Sequence, residues 1–293
     1  MTDGAHRSGV VALLGRPNAG KSTLLNQILG EKIAIVTAKP QTTRSRILGI
    51  WNGMGAQILF LDTPGFHESQ KPLNLALHDV VESVVDDCDV GVLLVEPLRG
   101  VDAGHVALAD RFERAHKPLL LVATQCDREA QAAAAWPPER LAALSAHRTS
   151  GATGEGVHAL LEQVVALLPE GPSFYSDDEL TDRPIRFLVA ELVREAAFES
   201  LEQELPYSLA VAVQSFDESD EAITRIRANL LVERKSQKGM VLGRGGTMIK
   251  RIGTAARLRI EELLGTRVHL DLWVKIDPTW AKQPRKLRDL GYY

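Results

Sequence analysis

The run GRPNAGKS at 15–22 constrains this chain more than any other feature. It follows the apolar stretch VVALLG (10–15) and precedes STLLNQILG (22–30), which reads as a helix ended by Gly30. Strand, glycine loop and helix in that order gather backbone N–H groups around one anion-sized hollow at a helix N-terminus. Gly15 and Gly20 permit the turn and the close approach of a phosphate, and Arg16, Pro17, Asn18, Ala19 and Thr23 complete the phosphate-binding segment. Lys21 is placed to reach the β- and γ-phosphates as the catalytic cation, and the Ser22 hydroxyl to ligate Mg²⁺. The pattern predicts a bound nucleoside triphosphate in an α/β sheet.

Far along the chain stands a second glycine motif, GRGG at 243–246. Eight basic residues surround it with no acid between Arg234 and Arg259. The formal net charge of −4 argues against nucleic acid until it is divided. Residues 1–184 carry 16 Lys/Arg against 23 Asp/Glu, and residues 185–293 carry 18 against 15. A basic stretch folded around a glycine loop suits a polyanion backbone.

The first part alternates strand-like and helix-like segments. RILGIWNG (46–53) and AQILFLD (56–62) are two apolar stretches joined by a glycine-containing turn, a hairpin signal. VGVLLVE (90–96) and KPLLLVAT (117–124) are near-continuous apolar runs, suited to parallel strands covered on both faces. Helical patterns fall at 102–116 and 155–168. These segments predict a doubly wound, mostly parallel α/β domain over 7–170. Residues 169–184, rich in proline and acids, read as a linker or extended connection, with 171–184 as its body. After it come an amphipathic helix (187–201), strands at 207–216 and 222–234, a helix–loop–helix around GRGG, and a strand at 268–276. The order α-β-β-α-α-β predicts a small α+β RNA-binding domain over 185–293.

No apolar run approaches the roughly 20 residues of a spanning helix, and the first residues lack a signal-peptide pattern. Two cysteines, Cys88 and Cys126, make neither a metal motif nor a disulfide framework. Both are expected reduced, in a cytoplasmic protein.

Further motifs extend the nucleotide site. DTPG (62–65) follows a strand, so Asp62 is placed to hold Mg²⁺ through water opposite Ser22, with Thr63 and Pro64 beside it. Gly65 can donate its N–H to a γ-phosphate as a catalytic contact and hinge when that phosphate leaves. Between the motifs lies KPQTTR (39–44), where Gln41, Thr42 and Thr43 form a polar switch loop and Thr43 is preferred over Thr42 as a metal ligand. At 124–127 the chain reads TQCD. Asp127 can accept both N1–H and N2–H of guanine, a donor pair that adenine lacks. In SGATG (150–154), the Gly151 N–H could lie near guanine O6, with Ser150 and Ala152 completing the guanine-binding loop. Phe66 cannot orient water by hydrogen bonding, and His67 or Glu68 is a weak substitute.

These motifs together resemble the Era-type GTPases. The resemblance rests on GRPNAGKS, PQTTR, DTPGF, the Asp127 loop and SGATG, then on PYSLAVAVQSF, ERKSQKGMVLGRGGTMIKRIG and VHLDLWVKI, covering about 7–280. It implies a P-loop GTPase domain followed by a type II KH domain, slow GTP hydrolysis with Mg²⁺, and room for K⁺ at Asn18. The KH reading gives RNA phosphate contacts to Lys235, Lys238, Gly243, Arg244, Gly245, Gly246 and Lys250, with Val241, Met248 and Ile249 in a base groove or the core. The implied partner is the 3′ end of 16S rRNA in the small ribosomal subunit, which the factor assists in assembling. Weak association with the inner face of the cell membrane is implied for the family as well. The chain is expected to act as a monomer without an obligate protein partner.

One departure stands out. The family's guanine motif is Asn-Lys-x-Asp, whereas Thr124, Gln125 and Cys126 precede Asp127 here, and SA of the usual SAxxG is Ser150-Gly151. The expectation is that selectivity survives through Asp127 while affinity falls by roughly 1–3 kcal/mol. Two rivals remain open at this point: an RNA chaperone with a weakened or non-guanine-selective nucleotide site, and an ATPase joined to an RNA-binding domain.

Overall fold

Buried apolar runs set the first sheet. The computed structural model describes residues 5–37, 47–63 and 84–292. Its first strand, β1 (Arg7–Gly15), lies between β3 (Ala56–Asp62) and β4 (Val90–Val95) and runs parallel to both. Beyond β3 lies the antiparallel β2 (Ile47–Gly53); beyond β4 come β5 (Leu119–Ala123) and β6 (Ser145–Arg148), both parallel. The order is therefore β2-β3-β1-β4-β5-β6. Every residue of β3, β4 and β5 is buried, as their unbroken apolar runs predict. β6, with the sequence SAHR, is an edge strand without an apolar run, which is why periodicity misses it.

Helices α1 (Lys21–Leu29), α2 (Ala103–Arg114) and α3 (Glu129–Ala133) lie between the strands, and α4 (Val157–Leu167) follows β6. In α1, Leu24, Leu25 and Ile28 share the buried face. Full burial of each such side chain contributes about 2 kcal/mol. After β1 the chain goes to β2 and β3 on one side of it and then to β4 on the other, so the ends of β1 and β4 open a crevice where ligands of such sheets bind. GRPNAGKS sits at that crevice.

The chain divides into two compact units: Met1–Ala34 with Arg46–Asp182, and Ile35–Ser45 with Arg183–Tyr293. The segment 169–182 is an extended strap in the first unit. The Ser8 N–H donates to the Pro169 carbonyl at 3.1 Å, and the Ile50 N–H donates to Leu180 at 2.8 Å. Wholly buried Gln57 accepts from the N–H groups of Phe174 (2.6 Å) and Tyr175 (3.0 Å).

The second unit begins with α5 (Ile185–Ser200), which packs on the strands β7 (Ala210–Asp217) and β8 (Ile223–Val232). Then follow α6 (Lys235–Leu242), α7 (Thr247–Leu264), β9 (Arg267–Ile276) and α8 (Pro284–Asp289). The sheet order is β7-β8-β9, antiparallel then parallel. Sequence periodicity suggests an amphipathic α5. The structure instead buries it nearly all round, because its charges pair inside: Arg194, fully buried, donates to Glu191 at 2.7 and 2.6 Å and stacks over Phe198. Buried Glu195 and half-exposed Glu199 hold Arg259 at 3.1 and 2.6 Å.

Candidate nucleotide site and RNA interface

The loop after β1 folds as its glycines require. Gly15 has φ 153° and lies so close to β4 that a Cβ would stand 2.7 Å from the Leu94 carbonyl, so a side chain there must displace backbone. Asn18 and Gly20 take positive φ of 64° and 95°, and Gly20 caps α1. The Ala19 N–H donates to the Arg16 carbonyl at 3.1 Å. Lys21 is buried, and its ammonium donates to the carbonyls of Gly15 (3.0 Å) and Arg16 (2.9 Å). Burial pulls its pKa down to about 8, opposed by Asp62. Its ammonium is held against the loop's carbonyls.

Opposite Lys21 lies Asp62, fully buried at the end of β3. Burial pushes its carboxyl above the usual range, against the pull of Lys21 and of a hydrogen bond from Ser22. Ser22 Oγ donates to Asp62 Oδ2 at 2.6 Å, while Asp62 Oδ1 is buried without a partner among the described residues. A buried oxygen left open beside a hydroxyl fits a hard divalent cation that keeps several waters and a phosphate oxygen in its shell. No group of three or more His, Cys, Asp or Glu among the described residues offers an all-protein cage instead. Thr63 turns inward, its hydroxyl donating to Leu13 at 2.8 Å. Gln41, Thr42, Thr43, Pro64 and Gly65, with Phe66, His67 and Glu68, lie outside the described residues.

The candidate base end of the site is built from the loops after β5 and β6. Asp127 is exposed, and one carboxylate oxygen accepts from Ser150 Oγ at 2.7 Å. Ser150 Oγ in turn accepts from the N–H groups of Ala152 (3.2 Å) and Thr153 (3.1 Å). One wholly buried hydroxyl therefore orients the carboxylate and closes the SGATG loop. Gly151 lies against α1, where an ideal Cβ would be 3.0 Å from the Leu24 nitrogen. Gln125, at φ 59°, donates from Nε2 to the Asn18 carbonyl at 3.4 Å. The TQCD loop is thus tied to the phosphate loop through a glutamine.

Sequence reading missed the flank of this site. Arg16 forms an ion pair with Asp102. Asp102 caps α2, accepting from the N–H groups of Gly104 (2.9 Å) and His105 (3.2 Å) and bonding the His105 ring at 2.9 Å. Asp-x-x-His ahead of a periodic helix is the signal that could have found it. Glu96 is buried at the end of β4, and burial raises its pKa despite Arg99 and Arg128.

In the second unit, GRGG joins α6 to α7. Gly243, Gly245 and Gly246 all have positive φ (71°, 59° and 79°), a path that only glycine follows without strain at three positions so close together. Arg244 and Lys250 are exposed beside it, as is Lys235, and Lys238 is half-buried. A groove of about 530 Å³ runs along one stripe of α7, lined by Thr247, Lys250, Arg251, Thr254, Ala255 and Leu258. Val241 is wholly buried, with Met248 and Ile249 packed against the same core, so these three serve packing. Arg257 and Arg259 of the basic run are spent on Glu261 (2.8 Å) and on Glu195 and Glu199.

Comparison with known proteins agrees with this geometry. Residues 10–125 match the family described as 50S ribosome-binding GTPase, and residues 204–281 match the KH domain. GTPase Era of Geotalea uraniireducens is 45% identical over 296 residues, covering 100% of both chains. The chain belongs to the Era family of GTPases. GTPase Era of Geobacter metallireducens is 44% identical, again over 100% of each chain. A solved Aquifex aeolicus Era variant bound to GDP·AlF4⁻ aligns with a TM-score of 0.86 at 32% identity, covering 98% of this chain and 99% of its own. Era bound to MgGDPNP and nucleotides 1506–1542 of 16S ribosomal RNA aligns at 0.85 and 32% identity, with the same coverage.

Proposed function

We infer that this Era-family GTPase reads guanine through Asp127, cleaves GTP at the Lys21–Ser22–Asp62 cluster, and binds the 3′ end of 16S rRNA through the GRGG loop in assisting small-subunit assembly. The observation that carries the nucleotide half is Asp62, buried, bonded to Ser22 and open at Oδ1. Gly15 to Thr23 receive the phosphates: the backbone N–H groups at the N-terminus of α1 face the anion, and Lys21 neutralises charge on its β- and γ-oxygens. Ser22 and Asp62, the latter through water as proposed, would hold Mg²⁺, with Thr43 proposed to join them. When bound, the cation would neutralise phosphate charge. Gly65 is proposed to donate to the γ-phosphate, while Gln41, Thr42, Thr63 and Pro64 belong to the loops that respond to its loss. Thr124, Gln125, Ser150, Gly151 and Ala152 complete the guanine site.

The nucleotide domain is proposed to span 7–170 and the KH domain 185–293, with 171–184 between them. On the KH side, the support is chemical: a left-handed glycine loop, exposed Arg244 and Lys250, and a groove with basic groups at one end and Leu258 at the other. Such a surface takes four or so nucleotides of single strand, and Lys235, Lys238, Gly243, Gly245 and Gly246 extend it. The relative solved with rRNA supports that partner for this chain. No described helix is long and apolar enough to cross a membrane. Two unpaired thiols suit the cytoplasm. The Asp127–Ser150 contact favours the GTPase over a chaperone with a decayed nucleotide site. The test is GTP turnover by the purified protein: Lys21→Ala should abolish it, and unchanged turnover would refute the site.

A further inference from the structure

Behind the phosphate loop, the two oxygens of one carboxylate meet different partners. Asp102 Oδ1 caps α2: it accepts from the N–H groups of Gly104 (2.9 Å) and His105 (3.2 Å) and lies 2.9 Å from the ring nitrogen of buried His105. Asp102 Oδ2 is the oxygen that pairs with the Arg16 guanidinium. Burial alone would raise the pKa of this carboxyl, but His105 and Arg16 hold it below the usual range, so it is ionised at neutral pH. Arg16 thus has a counter-ion fixed by a helix cap. The carbonyl of the same Arg16 accepts from the Lys21 ammonium at 2.9 Å and from the Ala19 N–H at 3.1 Å. One residue therefore sets both the turn of the loop and the seat of its ammonium, and its side chain is anchored outside the loop.

We propose that Asp102 is a positioning residue for nucleotide binding: through Oδ2 it fixes Arg16, and the Arg16 carbonyl in turn holds Lys21 for the β- and γ-phosphates. The inference rests on the phosphate-loop reading above and deepens it, adding a residue from the loop after β4. Water limits its size. The Arg16 and Asp102 side chains are 40% and 29% exposed, and a pair so exposed contributes a factor of a few, not orders of magnitude. For the same reason an unpaired Arg16 is solvated, and losing the pair costs the fold little.

Asp102→Asn separates the two oxygens. Asn caps a helix about as well as Asp, its carbonyl oxygen standing for Oδ1 and its NH2, which cannot accept from a guanidinium, for Oδ2. Calorimetric titration of the full chain with GDP should show binding weakened roughly three- to fivefold, while the urea midpoint without nucleotide stays that of the wild type. In GTP turnover the loss should fall on KM, with kcat within about twofold, because substrate and transition state both present the β-phosphate to Lys21. Arg16→Gln should weaken GDP by the same factor, and the double variant should lie within about twofold of either single one. Independent losses would multiply to roughly tenfold or more and overturn the proposal. So would an Asp102→Asn protein that binds GDP within about 1.5-fold of wild type, a loss confined to kcat, or a lowered urea midpoint, which would mark a helix cap and nothing more. Lys21→Ala, titrated alongside, tells the two readings apart. If Lys21→Ala binds GDP like wild type, the phosphate-loop reading fails and takes the proposal with it. If Lys21→Ala is weak while Asp102→Asn and Arg16→Gln bind like wild type, the proposal fails alone.

Discussion

Ser150→Ala removes one oxygen, and the structure says what that oxygen does. Its hydroxyl donates to the Asp127 carboxylate at 2.7 Å and accepts two backbone N–H groups, from Ala152 at 3.2 Å and Thr153 at 3.1 Å. A hydrogen bond to a charged group contributes about 2 kcal/mol and each neutral one about 1. Water can re-solvate the exposed Asp127 and part of the loop, so the stability loss should be about 2–3 kcal/mol. For the nucleotide the effect has another source: an Asp127 no longer held by Ser150 must be ordered by guanine itself. An affinity loss of about 1.5–2.5 kcal/mol, roughly 10- to 70-fold, follows. Titration with GDP reads the second number and urea denaturation without nucleotide the first. If Ser150 acts through Asp127, adding Asp127→Ala to Ser150→Ala should weaken GDP binding by less than Asp127→Ala does in the wild-type background. Additive losses, or a Ser150→Ala protein that binds GDP as tightly as wild type, would refute the reasoning.

Other consequences follow from the second unit and from the thiols. Arg194→Met should destabilise the fold by about 3–5 kcal/mol, because it leaves the Glu191 carboxylate buried without its bidentate partner; urea midpoints measure this. Arg244→Ala and Lys250→Ala should each weaken rRNA binding and flatten the dependence of log K on log salt by about one counterion. Arg257→Ala, already paired with Glu261, should leave that slope unchanged. Burial pushes the Cys88 thiol up to about 11. At pH 8 it is therefore protonated as well as enclosed, and a thiol reagent should titrate one group, Cys126, until the protein is unfolded.

The sequence exposes most clearly what periodicity and glycine motifs encode. β3, β4 and β5 are unbroken apolar runs and are fully buried, and the loop at 15–22 folds as its glycines demand. Less visible are features held by partners distant in sequence. β6 is four mostly polar residues that become a strand only because β5 offers an open edge. Residues 169–182 look like a linker, yet Gln57, more than 110 positions earlier, pins them with backbone hydrogen bonds. α5 looks amphipathic because Glu191, Arg194 and Glu195 are charged; pairing inside the fold makes burial tolerable. At the site, Asp127 and Ser150 stand 23 positions apart as members of two short motifs, and the sequence places both near guanine. It does not show that Ser150 grips Asp127, nor that Arg16 pairs with Asp102. Those contacts arise where loops from separate strands converge at one end of the sheet.

On the proposed reading, Asp127 makes this chain a guanine-specific hydrolase. The most direct measurement is steady-state turnover of GTP, XTP and ATP by the wild type and Asp127→Asn. A carboxylate accepts both guanine donors, whereas a carboxamide offers one acceptor and one donor, which match xanthine. Wild type should favour GTP over XTP and ATP by roughly 100-fold or more, and Asp127→Asn should favour XTP. A wild type that turns over ATP as readily as GTP, or an Asp127→Asn protein with undiminished preference for GTP, would contradict the account.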